Sequence, residues 1–84
     1  MDVVVGDLLT VEGKKYIVLE MLDYENNKYA FVNMMTDAEE ATDEFYIFEV
    51  LESGINIVVD DGLREILLIK FQKLLQVDIA KIMQ

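Results

Sequence analysis

After Gly62 the apolar residues of this chain stop alternating and begin to recur at every third or fourth position. Leu63, Ile66, Leu67, Phe71, Leu74 and Leu75 follow that spacing, and no glycine or proline interrupts Leu63 to Gln84. This is the pattern of one amphipathic helix. Asp60 or Asp61 suits its N-cap, where a carboxylate satisfies free amides and meets the positive end of the helix dipole. Lys70, Lys73 and Lys81 fall in later turns, where cations are favoured. Everything before residue 60 must then fold without a crossover helix, which excludes parallel strand pairing.

That earlier part reads as strands separated by turns. Leu8–Val11 and Lys15–Leu22 flank Glu12-Gly13-Lys14, a hairpin with β-branched and aromatic residues on both arms. Asp23 to Asn27 carries two asparagines, which tolerate left-handed backbone geometry, and leads into a third strand over Lys28–Met35. Phe45–Leu51 carries apolar residues on both faces, as expected of a strand that is central or packed on two sides. Ser53-Gly54 then turns the chain into a fifth strand, Ile55–Val59. Sequential strands joined by short turns pair with their neighbours. The expected fold is therefore α+β: a curled antiparallel β-meander of about five strands, an SH3-like small open barrel, with one C-terminal α-helix. A single domain over residues 1–84 is expected, the meander occupying 1–59 and the helix 60–84.

Composition narrows the chemistry. The 84 residues contain no cysteine, histidine, proline or tryptophan. Thiolate zinc sites, thiol nucleophiles and the commonest general base at neutral pH are all excluded. Ser53 is the only serine and has no histidine to activate it. An enzyme is not expected, nor is a cofactor. Asp23-Tyr24-Glu25-Asn26-Asn27 alternates oxygen ligands as a calcium loop does, but Lys28 and Met34 stand where such a loop needs glycine and glutamate. No specific metal site is expected either.

Charge is unevenly shared. The net charge is −10. Residues 1–59 hold 13 acids and 3 bases, whereas residues 60–84 hold 4 of each, so the whole excess belongs to the meander. Direct contact with nucleic acid or with anionic membranes is disfavoured. No apolar stretch approaches the roughly 20 residues a membrane span requires. Met1–Val5 has no basic region of the kind that opens a secretory signal, and a cytoplasmic protein is expected. Hydrophobic residues make up 54% of the chain, enough to fold despite the charge.

Three segments together resemble a known group: Val5-Gly6-Asp7-Leu8-Leu9-Thr10-Val11, Gly13-Lys14-Lys15-Tyr16-Ile17-Val18-Leu19, and Asn27-Lys28-Tyr29-Ala30-Phe31-Val32-Asn33. Their order is similar to that in small acidic proteins of low-GC Gram-positive bacteria and their phages, filed as domains of unknown function. In that group the strands lead to a C-terminal helix through an acidic turn, here Val59-Asp60-Asp61-Gly62-Leu63. The resemblance implies the fold and a phage or mobile-element setting, and it carries no activity or catalytic residues.

Two surfaces are candidates for function. Asp37, Glu39, Glu40, Asp43 and Glu44 place five carboxylates in eight residues with no cation among them. Such a run reads first as a solvated loop or strand edge. On the helix, apolar side chains cover roughly 220° of the wheel at 100° per residue, more than one small sheet can cover. Leu68, Ile69, Leu75, Ile79 and Ile82 are the surplus, and they are expected to form a protein-interaction surface. The leading functional reading is a small acidic, non-catalytic protein-interaction module, a homodimer joined through the C-terminal helix. The alternative is an acidic inhibitor of phage type, whose carboxylates imitate nucleic acid and occupy the groove of a basic host protein.

Overall fold

The computed structural model describes the backbone of residues 2–82 and the side chains of residues 2–75. Five strands and one helix follow in chain order: β1 (Leu8–Val11), β2 (Lys14–Tyr24), β3 (Asn27–Met35), β4 (Ala41–Leu51), β5 (Gly54–Ile57) and α1 (Asp61–Ile82). The strands form one antiparallel sheet in the order β1-β2-β3-β4-β5, each paired only with its neighbours in sequence. The sheet curls into a half-barrel, and the α+β meander expected from the sequence is the observed architecture.

Three hairpins turn within two residues, and in two of them both turn residues are left-handed. Glu12 and Gly13 have φ of 52° and 78°, and Glu25 and Asn26 have φ of 49° and 67°. Two consecutive left-handed residues match the right-handed twist of the flanking strands. Asparagine and glycine adopt that geometry readily; the two glutamates do so at some cost. The second turn is tighter than Asp23–Asn27, because β2 runs on to Tyr24 and β3 begins at Asn27.

The sheet has an apolar core on each face. On the inside of the curl lie Tyr16, Val18, Ala30, Val32, Phe48 and Val50, with Val3, Leu9, Val11, Met21, Met34, Tyr46 and Ile55 packed around them. Tyr16 meets Phe48 and Tyr46 edge to face, at 4.8 and 5.8 Å between ring centroids. On the other face Tyr29 and Ile47 are buried under Leu67 and Phe71 of α1, with Leu22, Tyr24, Phe31, Val58, Leu63, Leu68 and Leu74 around them. β4 thus buries Ile47 on one side and Phe48 on the other, as the apolar run Phe45–Phe48 requires.

A bulge in β2 makes this division possible. Val18 pairs with Val32, and Glu20 with Phe31, so Leu19 is an extra residue. Strict alternation from Tyr16 and Val18 would send Leu22 and Tyr24 into the curl. One inserted residue reverses the remainder of the strand. Met21 therefore joins the inner core, and Leu22 and Tyr24 join the helix-covered one.

The helix begins as its sequence suggests. Asp60 is the N-cap: its Oδ1 accepts from the Leu63 amide at 2.8 Å, and its carbonyl accepts from the Arg64 amide at 2.9 Å. Near the other end of the docked region, Lys70 Nζ lies 5.3 Å from the centre of the Tyr24 ring, within cation–π range.

Candidate functional site

The five carboxylates singled out from the sequence are all exposed, but they do not share one loop. Asp37, Glu39 and Glu40 lie in the connection between β3 and β4, whereas Asp43 and Glu44 belong to β4, which starts four residues before Phe45. Thr36 closes the connection: its amide donates to the Glu40 carbonyl at 2.8 Å, and its Oγ1 accepts from the Glu40 amide at 3.1 Å. Lys15 Nζ donates to the Asp37 carbonyl at 3.3 Å.

A buried amide explains why β4 extends through an acidic run. Asn33, 4% exposed, donates through Nδ2 to the carbonyls of Thr42 (2.9 Å) and Glu44 (3.0 Å). The ladder is broken here, since Asn33 faces Phe45 while Met35 faces Ala41, leaving three residues of β4 opposite one of β3. Thr42 completes the arrangement by donating from Oγ1 to the Met34 carbonyl at 2.6 Å and accepting from the Glu44 amide at 3.2 Å. The asparagine replaces the hydrogen bonds that the bulge removes. The carboxylates themselves take no part in this framework, apart from Glu44 Oε1 accepting weakly from the Tyr46 hydroxyl at 3.4 Å. Converting Glu39, Glu40, Asp43 and Glu44 together to their amides should therefore leave the urea midpoint unchanged or slightly raised. A loss well beyond the roughly 0.5 kcal/mol of an ordinary surface change would show that the charges hold the fold.

The helix surplus divides in two. Leu68 and Leu75 are half-buried, and Leu68 packs against the core under α1. Ile69 is 49% exposed, and Ile66, three residues before it, is 43% exposed. At 100° per residue Ile69 lies opposite the midpoint between the buried Leu67 and Phe71, so it faces away from the sheet. The side chains of Ile79 and Ile82 lie outside the described residues.

A third feature joins the two surfaces. Phe31, Phe45, Tyr46, Ile47, Arg64 and Leu68 line a cleft of 210 Å³ between β4 and the first turns of α1. Phe45 is 46% exposed, and its ring stacks on Phe31 at 5.5 Å; Phe31 in turn stacks on Phe71 at 5.5 Å. Neither Phe45 nor Arg64 was singled out by the sequence. Phe45 sits in a run of apolar residues that reads as core, and Arg64 reads as a solvated helix cation. The cleft, at 210 Å³, is smaller than the roughly 300–1,000 Å³ of a small-molecule site.

Among the described residues there is no cluster of three acidic groups close enough to hold a metal, and every buried side-chain polar atom has a partner. No helix among them is long and apolar enough to cross a membrane. Comparison with protein-family models, curated proteins and solved structures finds no match to this chain.

Proposed function

We propose that this chain is a small, non-catalytic protein-interaction module of the cytoplasm that pairs with a second copy of itself through the outer face of α1. The observation that carries the reading is the exposure of Ile66 and Ile69, two large β-branched side chains on the face turned away from the sheet. Residues 60–84 carry no net charge, so two helices approach without the repulsion that the acidic meander imposes. A two-fold pairing satisfies the same patch on both copies at once.

Sedimentation equilibrium tests this directly. The chain should be a dimer at micromolar concentration, and the double variant Ile66→Glu/Ile69→Glu should be a monomer with an unchanged urea midpoint. Leu68 is not the residue to change, because its contacts with the core would lower stability whatever the oligomeric state. A monomeric wild-type chain at tens of micromolar would refute the proposal.

A further inference from the structure

The outer edge of β4 has no partner strand over its first half. β5 pairs only with Phe48–Leu51, and the Val58 amide, donating to the Ile47 carbonyl at 2.9 Å, extends that contact by one residue. Backbone groups alternate in direction along a strand. Since the Ile47 carbonyl faces outward, so do the amide and carbonyl of Phe45. The Asn33 bonds agree, because they show the carbonyls of Thr42 and Glu44 facing β3. An open backbone edge at Phe45 therefore runs beside the cleft that Phe31, Phe45, Arg64 and Leu68 line.

We infer that this edge and cleft form a docking site for an extended segment of another protein, which adds to the sheet beside β4. The segment sets one large apolar side chain in the cleft and a lysine or arginine against Asp43. Main-chain bonding to an open edge supplies affinity, and pockets for alternate side chains supply specificity. Charge determines the occupant. Asp43 and Glu44 are exposed on this edge, and the meander carries a net −10. A second copy would bring the same carboxylates against them, and charged edges of this kind resist self-pairing. A basic segment is attracted instead. Asp43 is exposed and lies two residues from Phe45 along β4, a separation that a cation two positions from the apolar residue matches in either running direction. None of the side-chain hydrogen bonds among the described residues uses Arg64, which leaves its guanidinium at the cleft to donate to a carbonyl of the docked segment.

The probe is an acetylated, amidated heptapeptide, Thr-Lys-Thr-Phe-Thr-Lys-Thr, alongside versions with Leu, Ile, Tyr, Met or Ala in place of Phe and with Glu in place of both lysines. Saturable binding is expected for at least one large apolar residue, weakening roughly tenfold or more with Ala. The Glu version should not bind. In the complex the Phe45 amide should exchange with solvent more slowly than in the free protein. Asp43→Lys and Phe45→Thr should each abolish binding, whereas Ile66→Glu/Ile69→Glu should bind as wild type does, which separates this site from pairing through α1. Asp43 is exposed, so its variant tests the site even where Phe45→Thr lowers stability. Absence of binding by every peptide at millimolar concentration would overturn the inference. Equal binding of the Phe and Ala peptides would also overturn it, since that is charge attraction alone, as an imitation of nucleic acid would give. So would binding that leaves the Phe45 amide unprotected.

Discussion

Phe71→Ala should lower the stability of this protein by about 3–5 kcal/mol, the range for removing a buried phenylalanine. The ring is 1% exposed, lies on Phe31 at 5.5 Å, and with Leu67 is one of the two α1 side chains wholly buried on the sheet among the described residues. A chain of this length has about 4–13 kcal/mol in total, so the loss is a large fraction of it. Far-UV circular dichroism against urea should show one transition at a much lower midpoint. The inner core of the curl is untouched by the change, but the two cores share β2, β3 and β4 and cannot melt separately without breaking those strands. A loss below about 1 kcal/mol, the ordinary range for a point change, would mean that α1 is not anchored through this residue.

Asn33→Leu is expected to be the most damaging polar-to-apolar change. It fills a similar space but removes both donors from the carbonyls of Thr42 and Glu44. Each buried acceptor left unpaired costs about 1–3 kcal/mol, less whatever water restores at this partly open edge. The loss should be about 2–4 kcal/mol, with faster amide exchange over residues 41–45 than elsewhere in β4. Asn33→Asp separates hydrogen bonding from packing. A buried carboxylate facing two carbonyls is disfavoured in its charged form, so its folded-state pKa rises above its unfolded one. Stability of that variant should then be greatest at low pH, where the group is protonated, and fall as pH rises through the interval between the two values. An Asn33→Leu variant as stable as wild type would show that the bulge is held by the Thr42 hydroxyl alone.

The identity and order of the elements were legible in the sequence because each depends on local chemistry. The change from alternation to a spacing of three and four places α1 after Gly62, and Asp60 caps it through a bond to a residue only three positions away. Glu12-Gly13 and Asn26 mark hairpins because a turn is decided by the backbone freedom of its own residues. Absence of a crossover helix before residue 60 leaves an antiparallel meander as the topology, and that is the observed sheet.

Whatever depends on contacts between distant strands was decided only in the folded molecule. Leu19 reads as an ordinary member of an alternating strand, yet it is the extra residue that sends Leu22 and Tyr24 to the helix side. Nothing local distinguishes a bulge from regular pairing; the partner strand's register does. The acidic run illustrates the same limit. Its repulsion reads as a solvated loop or strand edge, and exposure of all five carboxylates agrees, but where the loop ends and the strand begins is set by Asn33, which draws Thr42 and Glu44 into β4 through bonds nine and eleven residues apart in the chain. The apolar surplus of α1 could be counted on a wheel, but only the sheet's position shows that Leu68 is covered while Ile66 and Ile69 are not. Phe45 and Arg64 come together for the same reason: a cleft is a property of the gap between two packed elements, and no single segment encodes it.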